Sequence, residues 1–313
     1  MKLALNFVQV ALLLLTSPLL RGIVAKLKAR IQRRKGSPVW RPYAEIWKLL
    51  RKEQLLPRDA SGIFQLGPIV AFVTTLLAAA FVPVFQNTAL FGGAGDIFIF
   101  VYLFALGRFF VSLTALDPGS SFGGMGASRE ALVAALSEAP LLLALTALAS
   151  LAKTSSIAEI TAWTVGQNFF DVSAVHALAL AAVAIVAVAE TGRLPVDNPT
   201  THLELTMIHE AMVLECSGPS LAFIEWSQAL KLNIVAALIM ALFLPWGIAT
   251  RLTPAALALG LAWFVSKIGF MALLLAFVES SVAKLRMYAV PNFLQVASAL
   301  AILAVIFTAV MKR

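Results

Sequence analysis

Ionisable side chains cluster in residues 190–218, ETGRLPVDNPTTHLELTMIHEAMVLECSG, in the middle of an otherwise apolar chain. The segment carries two of the three histidines of the chain and the acidic residues Glu190, Asp197, Glu204, Glu210 and Glu215. A carboxyl group that is buried near other acids has a raised pKa, so it can bind and release a proton near neutral pH. The segment is therefore a candidate part of a polar pathway.

The same segment predicts a broken helix. The two prolines and the Asp-Asn pair of RLPVDNP end the preceding helix, and a new helix can begin near Thr200, where TTHLE offers a cap. On that helix Glu204 and Glu215 lie within about 20° of each other, whereas His202 and His209 form a stripe nearly opposite. We expect this segment to fold back against a helix bundle near the cytoplasmic surface.

No residue pattern in the chain is typical of a catalytic or metal centre. HEAMV begins like a zinc-protease motif, but Val213 stands where the second histidine ligand is needed. GSSFGGMGAS lacks the lysine and the preceding strand of a phosphate-binding loop, so we predict a flexible loop there. Cys216 is the only cysteine, which excludes a four-cysteine iron–sulfur cluster. We therefore predict no catalytic residue, no metal site and no cofactor in this chain.

The composition of the 313-residue chain is typical of a membrane protein. Hydrophobic residues make up 60% and charged residues 13%, whereas soluble proteins average about 25% charged residues. Apolar runs that can cross a hydrocarbon core of about 30 Å as helices recur along the whole chain. We predict an all-α polytopic membrane helix bundle that forms a single domain over residues 1–313. Its roughly eight spans lie at about 3–24, 66–85, 93–116, 130–152, 173–190, 227–249, 254–278 and 291–311.

The distribution of lysine and arginine predicts the orientation. The first loop, residues 25–60, holds eleven of the 24 basic residues, so it should face the cytoplasm and both termini should lie outside. This orientation accounts for the net charge of +8 without nucleic-acid binding. PYAEIWKLLRKEQLL in the first loop predicts an interfacial helix, which could anchor to anionic lipid or dock a partner. The cytoplasmic loops are predicted at about 25–60, 117–129, 191–226 and 279–290.

Ionisable residues inside the predicted spans are the most informative, because each costs about 2.5 to 3.5 kcal/mol at mid-bilayer on insertion scales. They are Arg108, Glu130, Glu138, Glu190 and Lys267, with Arg129 directly before span 4. Glu130 and Glu138 lie about 80° apart on a helix and can face one side of a channel. A single such residue could be a static ion pair, but several in one bundle favour a polar pathway. Glu225 is expected to lie outside this cluster.

Several motifs together resemble one known family. ETGRLPVDNP followed by HLE and HEAMVLECSG resembles the signature of subunit 1 of respiratory complex I and of the membrane-anchor subunits of group 4 NiFe hydrogenases, of the formate hydrogenlyase subunit 4 and hydrogenase-4 component C type. RIQRRKGSPVWRPYAEIWKLLRKE is similar to the first cytoplasmic loop of that family, and GASREAL followed by Glu138 to its fourth-span acidic region. The resemblance extends along most of the chain, and the predicted eight spans with an outside N-terminus agree with it.

The resemblance implies an ion-translocation adaptor in the inner (cytoplasmic) membrane of the cell. Its cytoplasmic loops would hold hydrogenase-like large and small subunits of a peripheral redox arm, which carry the iron–sulfur clusters and the NiFe centre. Antiporter-like membrane subunits and the lipid bilayer are the other expected partners. The expected docking residues are Arg30, Arg33, Arg34 and Lys35. The acidic path would use Glu130, Glu138, Glu190, Asp197, Glu204, Glu210 and Glu215, with Arg108, Arg129, Arg193 and Lys267 as charge partners.

The chain also departs from the complex I pattern. Gly192, Asn198 and the Thr-Thr-His run stand where complex I proteins read roughly ETNRAPFDLPEGESELV. This thinning of quinone-contacting acids favours the hydrogenase branch over the membrane subunit 1 of a quinone-reducing complex I, which forms part of a quinone cavity. A stand-alone proton-coupled carrier and a purely structural anchor are the alternatives from other classes. The choice between H⁺ and Na⁺ is open.

Overall fold

A computed structural model describes residues 2–92, 96–166, 174–197, 207–250 and 252–311. In these ranges the chain is a bundle of helices, and the only extended pairing is an isolated parallel bridge between Gln86 and Ala249. The helices are α1 (Lys2–Ile31), α2 (Arg41–Leu50), α3 (Gly62–Ala79), α4 (Asp96–Leu116), α5 (Ser121–Ala152), α6 (Ile157–Val165), α7 (Ala174–Glu190), α8 (His209–Val213), α9 (Gly218–Phe243), α10 (Pro254–Ser281) and α11 (Val290–Met311). A short 3₁₀ turn, Met287–Ala289, precedes α11.

Most of these helices suit a membrane. Seven are long and apolar enough to cross one, namely α1, α3, α4, α5, α9, α10 and the segment that contains α11, and α7 is a shorter apolar helix. Each predicted span overlaps one of these eight helices, which confirms the prediction of a polytopic helical bundle. The central helix is α9, since 83% of its apolar window is buried inside the protein.

The bundle has two distinct ends. Residues 32–60, the described segments 191–197 and 207–217 and the 3₁₀ turn lie at one end, which we call the basic end because the first loop is there. Hydrogen bonds tie these segments together: Leu285 N–H donates to Pro195 O at 2.9 Å, and Leu55 N–H donates to Ser217 Oγ at 2.9 Å. The opposite end holds the loops that follow α3 and α9.

The helix predicted in the first loop is present as α2, which ends at Leu50, before the last part of the predicted run. Of its ten residues only Ile46 is buried, and Trp40 and Trp47 are largely exposed. The Arg51 guanidinium lies over the Trp47 ring, 4.5 Å from its centroid. The Tyr43 hydroxyl donates a hydrogen bond to the Leu15 carbonyl of α1, so α2 lies along α1.

The prediction of a flexible glycine-rich loop before span 4 was wrong. Residues from Ser121 onward are helical and form the first turns of α5, which begins well before the predicted position 130. A Cβ on Gly123 would lie 2.1 Å from Ala115 O, and one on Gly126 would lie 2.9 Å from Ile208 O. These glycines therefore allow close helix packing, which sequence alone cannot distinguish from flexibility.

The loop predicted at 191–226 is also shorter than expected. α9 begins at Gly218, with Pro219 in its first turn, rather than at about 227. Gly218 has φ +55°, and a Cβ there would lie 2.7 Å from Glu53 O, so the first loop crosses directly over this turn. A hydropathy window detects the apolar part of a helix, so it does not detect a polar first turn such as that of α9.

At the opposite end, a buried polar cluster holds irregular backbone in place. Gln9 Oε1 accepts a hydrogen bond from Val84 N–H at 2.7 Å, and Gln86 Nε2 donates to Asn6 Oδ1 at 2.6 Å. Asn6 Nδ2 in turn donates to Ala89 O at 2.8 Å. Non-helical backbone near a membrane needs such internal partners, because lipid offers none.

Candidate functional site

A polar cavity lies near the basic end, between α4, α5, α7 and α9. Its volume is about 90 Å³, which leaves room for several water molecules, since one needs roughly 10–15 Å³ of such space. The charged residues that line it are Arg21, Arg108, Glu130, Glu190, Arg193, Asp197, Glu210 and Lys231. Several of the predicted pathway residues therefore meet in one place.

Arg108 of α4 is the centre of the first charge group. Its guanidinium pairs with the carboxylates of Glu138 on α5 and Glu190 on α7. Ser137 Oγ donates a further hydrogen bond to Glu190 Oε1 at 2.8 Å. The side chain of Glu190 is only 2% exposed, so this carboxylate is held by fixed partners rather than by water.

Lys231 of α9 completes this group, although sequence reasoning did not select it. Its ammonium lies 2.8 Å from Glu190 Oε2 and 5.3 Å from the centroid of the Phe104 ring. Glu190 thus bridges two cations. Lys231 lies inside the predicted span at 227–249. The argument that selected Arg108, that an ionisable side chain within a span is costly and needs a partner, therefore applies to Lys231 as well.

Glu130 occupies a different position from the paired acids. It lines the cavity and is half-buried, yet no described residue donates a hydrogen bond to its carboxylate. Lys231 and Arg108 are close enough to attract that carboxylate electrostatically, and Glu190 and Asp197 to repel it. Glu130 therefore faces the cavity without a fixed partner among the described residues.

Asp197 joins the loop after α7 to the segment before α11. Lys284 Nζ lies 2.8 Å from its Oδ1, and the backbone N–H of His209 donates to its Oδ2 at 3.2 Å. Arg129, a predicted charge partner, instead donates to the Met207 carbonyl at 2.7 Å. These contacts fix the start of α8 against α5.

Glu279 holds a second pair of cations at the basic end. Arg193 lies 2.9 Å from one carboxylate oxygen, and Lys28 lies 3.1 Å from the other. Burial lowers the pKa of Arg193, and the attraction of Glu279 opposes that shift. The sequence placed Glu279 at the edge of a loop and gave no sign that it pairs with α1.

The expectation that Glu225 lies outside the cluster was wrong. Its carboxylate pairs with Arg21 of α1, which itself lines the cavity. His209 lies nearby, and burial lowers the pKa of its imidazole while Glu225 and Asp197 oppose that shift. Glu225 therefore belongs to the charged network.

Some predicted site residues are elsewhere. Glu215 is exposed, because α8 ends at Val213 and does not continue as the predicted helix. Lys267 lies on α10, where its ammonium donates to the Leu244 carbonyl at 2.5 Å rather than to an acid of the cavity. Glu204 and His202 fall outside the described residues.

The remaining predictions concern surface and metal sites. Arg30, Arg33, Arg34 and Lys35 are all exposed at the basic end, as docking residues must be. Across the described ranges, no group of three or more His, Cys, Asp or Glu side chains is arranged to hold a metal ion. Gly192 has φ +57°, a conformation that glycine and asparagine both tolerate, so the departure at this position does not disturb the backbone.

Cys216 provides a test of how the ECSG turn is packed. Its side chain is buried, and burial together with the nearby Glu215 raises the thiol pKa to about 12. Only the thiolate reacts with maleimides, so we expect negligible labelling of the folded protein near neutral pH and complete labelling after denaturation in SDS. Rapid labelling of the folded protein, followed by mass spectrometry, would contradict the buried turn.

Comparison of the sequence with known proteins identifies the family to which it is similar. A family model described as NADH dehydrogenase matches residues 3–309. Hydrogenase-4 component C of Escherichia coli (strain K12) is 34% identical over 299 residues, covering 96% of this chain and 93% of the relative. Formate hydrogenlyase subunit 4 of the same organism is 35% identical over 290 residues, covering 91% and 92%. An NADH-quinone oxidoreductase subunit of Syntrophobacter fumaroxidans (strain DSM 10017 / MPOB) is 27% identical over 293 residues, covering 88% and 85%.

The fold is also similar to a solved structure. A chain of the membrane-bound sulfane sulfur reductase, an archaeal respiratory membrane complex, superposes with a TM-score of 0.82 at 22% identity. The match covers 98% of this chain and 100% of that chain. The whole helical bundle is therefore shared.

Proposed function

The chain belongs to the NADH dehydrogenase family, and from this membership we propose that it is the membrane-embedded adaptor subunit of a complex I-like energy-converting complex. It anchors a peripheral redox arm at its basic end and couples that arm to ion translocation through the buried carboxylates. The chain itself is a multi-pass membrane protein. In this proposal the basic end faces the cytoplasm, both termini lie outside, and the membrane is the inner membrane of the cell.

We assign the complex to the hydrogenase type. Two hydrogenase subunits are more similar in sequence to this chain than the quinone oxidoreductase subunit is. The cavity of about 90 Å³ also suits water and protons better than a quinone, since organic ligands occupy pockets of roughly 300–1,000 Å³. The partners are then a hydrogenase-like large subunit, a small iron–sulfur subunit and antiporter-like membrane subunits, with the NiFe centre and the clusters in the partners.

The observation that carries the coupling role is the contrast between Glu130 and Glu190. Glu190 is fixed by Arg108, Lys231 and Ser137 and so provides a stable negative charge. Glu130 faces the same water-sized space without a fixed partner and within the field of the same two cations. A shift in either cation would change the proton affinity of Glu130, because the charge of neighbouring groups sets it.

The route to the basic end continues through Asp197 and Glu210. Both line the cavity, and Asp197 is held by Lys284 on the segment before α11. A change in the loops that bind the redox arm would therefore reach the cavity through short, rigid contacts. Glu204 stays a proposed member of the path, whereas the exposed Glu215 is not included.

Anchoring can be tested at the first loop. Changing Arg33, Arg34 and Lys35 together to glutamate should release the soluble arm, because a docking surface for an acidic partner loses its attraction and gains repulsion. The protein should stay in the membrane, since the other basic residues of the loop preserve its orientation. The measurement is the ratio of soluble subunits to this chain after affinity purification in mild detergent.

A control is available on the other side of the protein. Lys153 is exposed beyond the end of α5, and Lys153→Glu should leave the subunit ratio unchanged. If the triple variant retains the whole arm at the ratio of the unmodified complex, the loop serves only membrane orientation or lipid contact and the anchoring proposal for it fails.

A further inference from the structure

His209 is the only histidine among the described residues that lines the polar cavity. It is the first residue of α8, and the backbone on each side of it is held in place. Its own N–H donates to Asp197 Oδ2 at 3.2 Å, and the carbonyl of Ile208 lies so close to Gly126 of α5 that a Cβ there would be 2.9 Å from it. The residue is therefore fixed at the cavity wall.

The imidazole of His209 has an amide as its side-chain partner. Gln228 of α9 also lines the cavity, and its amide nitrogen lies 2.6 Å from Nδ1 of the ring and contacts Nε2 as well. An amide carries N–H donors and a carbonyl acceptor, so by turning over it can donate to a neutral imidazole or accept from an imidazolium. Gln228 therefore allows the ring to change protonation without losing its partner.

Acidic and basic residues around the ring offset one another. The groups whose charges act on it directly are two acids, Glu225 and Asp197, and two bases, Arg21 and Lys231. The other charged residues on the cavity wall are Arg108 of α4, Glu130 of α5, Arg193 of the loop after α7 and Glu210 of α8. Burial lowers the pKa of His209, and the two acids oppose this shift. Because a histidine in water titrates at about pH 6.5, the ring can bind and release a proton in the physiological range.

The paired acids of the cavity are less suited to exchange a proton. Asp197 is held by Lys284 at 2.8 Å, and Glu190 is held by Arg108 and Lys231. A cation beside a carboxylate favours its charged form and so opposes the uptake of a proton. The amide beside His209 is neutral and imposes no such preference.

We propose that His209 relays protons between the basic end and the Glu130 side of the cavity, and that Gln228 holds its ring in both protonation states. The neutral ring binds a proton on its unprotonated nitrogen, and the imidazolium then releases the proton of the other nitrogen to water in the cavity. The Glu130 carboxylate binds that proton. The inference rests on the proposed function, in which ions pass through this cavity, and it adds a transfer residue that is not an acid.

The relay can be tested by the ion gradient that the purified complex builds per turnover in sealed vesicles. His209→Gln keeps a hydrogen-bonding side chain that does not titrate, so the gradient per turnover should fall by roughly tenfold or more, while electron transfer to an artificial dye continues unchanged. His176→Gln is the matched control, because that histidine stacks on Trp163 near the start of α7, at the opposite end of the bundle. A full gradient with His209→Gln overturns the relay.

The pH dependence separates proton transfer from a structural role. Gln228→Glu places a carboxylate against the ring, which stabilises the imidazolium and raises the pKa of His209. Since a transfer group works best near its own pKa, the pH of the greatest gradient per turnover should rise by about one pH unit or more. A maximum that stays at the pH of the unmodified complex overturns the proposal.

Two comparisons keep the outcomes distinct. If His209→Gln does not accumulate in the membrane, the pH shift with Gln228→Glu decides alone. A Glu130→Gln complex that builds the full gradient refutes the proposed function. Loss of the gradient with Glu130→Gln, together with a full gradient for His209→Gln, refutes only the relay.

Discussion

The protein carrying Glu190→Ala is expected to fail to assemble into a stable membrane complex. Glu190 is buried and holds both Arg108 and Lys231, so its removal leaves Lys231 without its ion-pair partner and Arg108 with Glu138 alone. Breaking a buried pair in this way costs about 3–5 kcal/mol, a large part of a typical stability of about 5–15 kcal/mol. The measurements are the amount of this chain in the membrane and the temperature at which the detergent-extracted protein aggregates.

An exposed ion pair supplies the control for Glu190→Ala. Glu45 pairs with Arg41 at 2.7 Å on α2, and both side chains are more than half exposed. Glu45→Ala should change neither measurement, since exposed pairs contribute about 0–1 kcal/mol. If Glu190→Ala also accumulates and melts like the unmodified protein, the charge group around Arg108 does not stabilise the bundle.

The sequence predicted the parts of this structure that depend on local pattern. Hydropathy located the eight longer apolar helices but not the short α6, and the amphipathic pattern of the first loop predicted α2. The cost of burying charge identified Arg108, Glu138 and Glu190 as a group, because a charge within a span needs a partner. The same reasoning applied to Lys231 would have completed it.

The rest depended on pairings that are distant in the chain. Arg21 and Glu225 are 204 residues apart, and Lys28 and Glu279 are 251 residues apart. A single sequence gives each of these residues only as a charge near a span end, which is ordinary for a membrane protein. Likewise, Gly123 lies in α5 at a point where the Ala115 carbonyl leaves no room for a Cβ, and nothing local in the sequence distinguishes it from a loop glycine.

Glu130→Gln is expected to uncouple electron transfer from ion transport. Glutamine keeps the size and hydrogen-bonding capacity of glutamate but cannot be ionised. Because Glu130 has no fixed partner among the described residues, the change should leave the bundle and the arm intact. Ion transport should fall by roughly tenfold or more, because a positioned proton-transfer group usually contributes about 10²–10⁴-fold to a rate. Glu159→Gln, an exposed position on α6 at the opposite end, is the matched control.

The most direct test of the adaptor role is ion transport measured together with turnover in sealed vesicles that contain the purified complex. We predict that the Glu130→Gln complex retains electron transfer from the peripheral arm to an artificial dye, at the rate of the unmodified complex, while the ion gradient built per turnover collapses. The Glu159→Gln complex should build the full gradient. A Glu130→Gln complex that transports ions as well as the unmodified complex would contradict the proposed coupling, because the cavity would then lie off the ion path.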